Sequence, residues 1–347
     1  MSLKNLVNIA LVIAACILIA QPASACSNKR AIVIGDMDYD TAHFTATLIS
    51  FILDKGYGCS IARRQGTTLE LVELLGHGEI DLIPEIWIQN AAKNLKKMIE
   101  AGNIIKLGTV YPSAIEGWFV PRYLVEGPSP PAPNLRSVSD LAEYRQLFSD
   151  PEEPSRGRFL NCPIGWQCEF INTRKLKGYG LSKTFVNYRP SSGTLMELAL
   201  VEALESKRPI VFYYWGPSWL IDTQRLRQLE EPPYNEAVWQ ELLATEYPTR
   251  ATSYPRSEVA IAANANFANI SVAELEFLKR LQLGEAALTE ILPAMHGNTR
   301  GTDSLVRDFL VRHPEIWTNW VPANIAARIT AYLTGSRSII QRRGGRQ

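Results

Sequence analysis

The stretch Asn161-Cys162-Pro163-Ile164-Gly165-Trp166-Gln167-Cys168-Glu169 constrains this chain more tightly than any other. Two cysteines bracket a glycine and a tryptophan. A disulfide across so small a loop removes about 2 kcal/mol of unfolded-chain entropy and holds the loop rigid. The run from Glu169 to Gly178 reads as a helix. Trp166, Gln167 and Cys168 therefore fall at a helix start, where backbone N–H groups lack partners and the dipole favours an anion. One rigid turn offers an aromatic face beside a row of amide donors, which suits a zwitterion with a bulky cation and a carboxylate. Taken alone, the stretch reads more readily as a stapled surface loop around a core tryptophan.

The segment before the fold sets the compartment. Lys4 precedes the apolar run Leu6 to Ala20, and Ala23-Ser24-Ala25 is a small-residue cleavage site, so residues 1–25 read as a secretory signal. Cleavage there leaves Cys26 at the new N-terminus and admits a second fate, lipid modification. Against that, Ala23 stands where lipoprotein signals usually carry leucine. Cys26, Cys59, Cys162 and Cys168 then remain. An even count in an oxidising compartment suggests two disulfides, with Cys162–Cys168 as the short one and Cys26–Cys59 as the other unless Cys26 is lipidated. A buried free thiol is the other reading of Cys59. No later stretch is apolar for long enough to span a membrane. With 347 residues, 46% apolar and a net charge of +1, the chain is long enough for two domains and gives no electrostatic case for nucleic acid.

Strand and helix patterns alternate along the chain. Ala31–Gly35 reads as a buried strand, Thr41–Lys55 as a helix, and Cys59–Arg63 as a strand. A helix over Thr67–Leu75 opens on a Thr67-x-x-Glu70 capping box. Ile80–Ile86 is a strand leading to Trp87, Ala91–Ala101 a helix, and Ile104–Tyr111 and Glu116–Pro121 are two strands. A proline-rich connector at Gly127–Pro133 and a helix over Val138–Phe148 precede the stapled turn. A second unit follows, with strands at Thr184–Tyr188 and Pro209–Tyr214 around a helix over Ser192–Ser206. Glu258–Ala263 is again a strand, and helices follow it. This pattern predicts two α/β lobes. The strand at Glu258–Ala263 needs a sheet, and the first lobe has the nearest one. The chain would then cross between lobes near residues 119 and 255, making a hinge over a cleft. The expected division is 26–118 plus 256–335 for lobe one and 119–255 for lobe two, with 336–347 a disordered basic tail.

Trp87 and Trp215 each follow a strand, and Trp166 lies on the stapled turn. Ligands in open α/β sheets bind beyond the carboxyl ends of the strands. The three indoles are thus candidates for a box around a quaternary ammonium group, at about 0.5–2 kcal/mol per ring. Core packing is the competing role for each of them singly.

On these residues the chain resembles the periplasmic glycine betaine/proline betaine-binding proteins of ABC importers. Asn161–Glu169 matches that family's stapled turn, Ile210-Val-Phe-Tyr-Tyr-Trp-Gly-Pro-Ser-Trp219 its later strand, and Trp87 its third cage wall. The likeness runs from about residue 40 to 263 and includes the Gly117-Trp118 strand. It implies a type II-like two-lobe binding protein, each lobe a mainly parallel sheet flanked by helices. It implies a cage of Trp87, Trp166 and Trp215, with Trp219 as a packing residue and Trp118 as a further candidate contact. Amides of Gln167 and Cys168 would hold a ligand carboxylate. The partners implied are a small quaternary ammonium ligand and the permease and ATPase subunits of an importer, with the chain itself a monomer in the periplasm. Neither cofactor, metal nor catalysis is expected.

Two departures stand out. Ala91 occupies the place of a family histidine that helps bind the carboxylate. Acids lie near the expected cleft: Asp36, Asp38 and Asp40 after the first strand, and Glu85 and Glu116 further on. Related choline-binding proteins use an acid after the first strand on the ligand's hydroxyl side, which makes Asp36 and Asp38 candidate ligand contacts. Helix capping is their structural alternative. The rival function is a magnesium-dependent phosphohydrolase built on Asp36-Met37-Asp38 after a strand. No later lysine or acid pair completes that site, and it leaves the tryptophans unexplained.

Overall fold

The computed structural model describes residues 26–90, 93–221, 225–295 and 300–344, with 93, 285, 286, 289 and 336–344 described by backbone alone. The signal segment and Ala91 lie outside the described residues.

The first lobe opens with β1 (Ile32–Asp36), an apolar run buried in the middle of a sheet. Helix α1 (Asp40–Phe51) continues as a wider turn over Ile52–Tyr57 and ends at Gly58, whose φ of 75° is a left-handed conformation that costs glycine little. Then come β2 (Ile61–Gln65) and α2 (Thr68–His77), whose cap is Thr67 accepting from the Glu70 amide. Strand β3 (Leu82–Trp87) and α3 (Lys93–Glu100) follow. The single long strand β4 (Ile104–Pro121) leads into the second lobe. There the order is β5 (Gly157–Leu160), α4 (Gln167–Gly178), β6 (Phe185–Tyr188), α5 (Gly193–Glu205), β7 (Val211–Gly216), β8 (Leu226–Gln228) and α6 (Glu236–Ala244). Strand β9 (Ser257–Asn264) returns to the first lobe, and helices follow it to Gly344.

The strands run β2-β1-β3-β9-β4-β7-β5-β6, with β8 beside β4. β1 pairs in parallel with β2 and β3, and β5 pairs in parallel with β6 and β7. β9 lies antiparallel between β3 and β4, and β4 lies antiparallel to β7 and β8, so the sheet is mixed in both lobes rather than mainly parallel. β4 ties the lobes together. Its first part, Ile104 to Ala114, pairs with β9, and Ile115 to Phe119 pairs with β7. The two strands expected at 104–111 and 116–121 are therefore one. The helix expected over 138–148 is only a short 3-10 turn at Val138–Ala142, after which backbone bonds still run from residue i+3 back to i. The C-terminal helices pack on the first lobe: Phe309 meets Phe44 edge-on at 5.9 Å, and Ile325 and Ile329 press on Gly56. The last helix continues to Gly344, so residues 336–344, expected as a disordered tail, have helical backbone. Disulfides join Cys26 to Cys59 and Cys162 to Cys168. Among the described residues, no helix is long and apolar enough to cross a membrane.

Candidate ligand site between the lobes

Strand ends and turns from both lobes converge on one cavity. Tyr39 reaches it from the turn after β1, and Trp87 from the carboxyl end of β3. Trp166, Gln167 and Cys168 come from the stapled turn, and Tyr213 and Trp215 from β7. The rings of Tyr39, Trp166 and Trp215 stand edge-on to one another, with centroids 5.2 to 6.0 Å apart. Tyr213 stacks beside Trp215 at 6.2 Å. The cavity is thus lined by aromatic rings from both lobes.

One wall carries an acid. Glu116 on β4 lies directly opposite Trp215 on β7. It is 5% exposed and lines the same cavity. The Tyr213 hydroxyl donates to its Oε1 at 2.5 Å, the Asn90 amide donates to its Oε2, and Ser257 Oγ lies 3.4 Å away. Burial pushes this carboxyl up to about 7, against the pull of those donors and of the Lys175 ammonium. Burial also holds the Tyr39 and Tyr213 hydroxyls far above their usual range, so both stay protonated.

Another part of the lining is a helix start. Trp166 is the N-cap of α4, in extended backbone and with no side-chain cap bond. The first-turn amides of Gln167 and Cys168 have no intrahelical acceptor, and both residues line the cavity. The disulfide keeps this turn in place. The cavity lining therefore includes both a buried carboxyl and the amide donors of a positive helix end.

Residues 30–312, most of the chain, match the family described as the substrate binding domain of the ABC-type glycine betaine transport system, OpuAC. The chain belongs to the OpuAC family. It is a family of binding rather than catalytic proteins. A curated relative, the glycine betaine-binding periplasmic protein OusX of Dickeya dadantii (strain 3937), is 20% identical over 224 residues, covering 59% of this chain and 64% of that protein. That alignment spans less than two thirds of the relative's length. Among solved structures, ProX from Borrelia burgdorferi, a glycine/betaine/L-proline-binding protein, superposes with a TM-score of 0.69 at 17% identity, covering 86% of this chain and all of the other. Lactococcal OpuAC in its closed conformation with glycine betaine gives 0.65 at 16% identity, covering 85% and 100%. An ABC-transporter choline-binding protein holding choline gives 0.71 at 16% identity, covering 89% and 98%. At these identities the likenesses establish the fold, a two-lobe binding protein with a mixed α/β sheet.

In this OpuAC chain, Trp87, Trp166, Trp215, Gln167 and Cys168 share the cavity, whereas three other expected contacts do not line it. Trp118 is fully buried in the second lobe. Its Nε1 donates to Asn172 Oδ1 at 2.8 Å and its ring packs on Phe159. It lies two residues beyond Glu116 along β4, underneath α4 rather than at the cleft. Asp36 is bound by Arg63 at 2.8 Å and by His43 at 2.9 Å, away from the cage. Asp38 lies behind Trp166 and accepts from its indole nitrogen. Because Asp36 and Asp38 turn to different partners, they do not form the carboxylate pair of a phosphohydrolase. Among the described residues, the grouping of metal-type ligand atoms is Cys26, Cys59 and Glu274, and both of its sulfurs are taken by a disulfide.

Tyr39, Asn90 and Tyr213 were missed from the sequence. Tyr213 was within reach, since it sits two residues before Trp215 on the same face of a strand. Tyr39 carried no periodic signal, and Asn90 lies on a short turn after β3. Trp219 is buried outside the cavity and donates to Glu197.

Proposed function

We propose that this protein captures a small quaternary or methylated ammonium compound in the periplasm and delivers it, as a monomer, to the permease and ATPase of an ABC importer. The convergence of Trp87, Trp166, Trp215 and Tyr39 from two lobes on one cavity is the observation that carries this reading. The family match and relatives named for glycine betaine and choline support the ligand class. Three indole walls supply roughly 2–6 kcal/mol. Micromolar binding needs about 8 kcal/mol, so the polar corners and lobe closure must add the rest.

Glu116 favours a guest with net positive charge. A buried carboxyl in the cage repels a ligand carboxylate and attracts an ammonium group, while the α4 amides donate to a ligand hydroxyl or other oxygen. Choline fits this pairing better than glycine betaine does. The Cys26–Cys59 bond supports an oxidising compartment, and it occupies the sulfur that a lipid anchor would need.

A tryptophan-fluorescence titration against choline, glycine betaine, carnitine, proline betaine and trimethylamine N-oxide tests the reading. Saturable quenching by at least one compound, with choline ahead of glycine betaine, is expected. No response to any of them would sink it.

A further inference from the structure

Asp38 is engaged on both of its carboxylate oxygens, and both donors belong to the other lobe. Trp166 Nε1 donates to Oδ1 at 2.8 Å, and the Gly193 amide donates to Oδ2 at 3.0 Å. Asp38 itself lies on the first-lobe turn between β1 and α1. Gly193 is the first residue of α5, so the carboxylate also meets the positive end of a helix.

The fit at this seam is close. A methyl at Gly193 would press on the Asp38 carbonyl and come within 2.9 Å of Trp166 Cζ2, so only glycine admits the approach. Beside it, the Leu69 amide of the first lobe donates to the Gly165 carbonyl of the stapled turn at 3.2 Å. The cavity wall and the seam share one side chain: the indole held by Asp38 stands edge-on to Tyr39 and Trp215.

We infer that Asp38 is a positioning residue, a latch that ties closure of the two lobes to the final orientation of the Trp166 wall. This rests on the reading of Trp166 as a cage wall. With the lobes apart, Asp38 has neither donor and the indole is free to turn. With them together, one carboxylate fixes the ring and the start of α5. Removing it shifts the population toward the open form, and such a shift shows first in ligand escape.

The test compares wild type with Asp38→Ala, Asp38→Asn and Gly193→Ala, using choline as probe, stopped-flow fluorescence for rates and small-angle scattering for lobe closure. Asp38→Ala should release choline at least about tenfold faster with little change in association rate, and choline should no longer compact it fully. Asp38→Asn keeps the acceptor for Trp166 but loses the one for Gly193, and should fall between. Gly193→Ala should resist compaction with Asp38 intact. Wild-type release and compaction in a folded Asp38→Ala would overturn the latch, as would equal behaviour of the alanine and asparagine variants with wild type. If wild type binds none of the ammonium probes, the cage reading fails on its own. The latch is then read from the unliganded proteins: wild type should populate the compact form more than Asp38→Ala, and identical scattering curves overturn it.

Discussion

Choline affinity should climb with pH and level off near neutrality, and Glu116→Gln should flatten that curve. The carboxyl of Glu116 sits at about 7 in the empty site because it is buried under the cage. Of the groups facing it, the Tyr213 hydroxyl, the Asn90 amide and the Ser257 hydroxyl do not change charge between pH 5 and 8, and the more distant Lys175 ammonium is itself buried, which lowers its pKa, and is paired with Glu231. A cation held about 5 Å away at an effective dielectric near 20 interacts by about 3 kcal/mol. That is roughly two pK units, so binding would lower the carboxyl from about 7 to about 5. Binding then releases a proton wherever the carboxyl starts protonated, and affinity rises as it ionises. From these two values the gain between pH 5 and pH 8 is about fifty-fold, nearly all of it below 7. Choline suits the experiment because its ammonium does not titrate. Glu85 also lies at about 7, but it is bound by Thr41 and Thr45 beneath α1 and does not line the cavity. Its titration acts on stability instead. With both carboxyls raised above their ordinary 4.5, the folded chain holds more protons than the unfolded chain between about 4.5 and 7, so these groups make stability fall as pH rises through that window. Calorimetric titrations from pH 5 to 8 decide the point. A flat wild-type profile, or an unchanged slope in Glu116→Gln, would refute the argument.

Trp166→Ala and Trp215→Ala should each weaken binding at least about tenfold, within the range of one cation–π wall, while the melting curve shows a folded protein. Full affinity in either would mean the cage is misplaced. Trp118→Ala should act on the fold instead, costing about 3–5 kcal/mol of stability by thermal unfolding while the folded fraction keeps its affinity. A selective loss of binding there would contradict its place under α4. Breaking Cys162–Cys168 with a reductant should loosen the turn that presents Gln167 and Cys168, and titrations that match with and without reductant would count against that role.

Much of this molecule is written in short-range pattern. The alternation of strand and helix, the loop between Cys162 and Cys168, and the location of Trp87 and Trp215 at strand ends are local facts, because side-chain period and chain breaks act over a few residues. They were enough to propose two lobes and to nominate three indoles for one cavity. They could not tell Trp118 from Trp215, since both lie on apolar strands and only the helix laid over one of them separates core from cleft. Nor could they set Glu116 opposite Trp215, a pairing fixed by the register of β4 on β7 across about a hundred residues. Asp38 read as a ligand contact or a cap, because its donors, Trp166 and Gly193, belong to the other lobe. The sequence determined which elements form and which residues end them. Tertiary packing alone decided which of those ends meet, because register and cross-lobe contact depend on how distant surfaces fit.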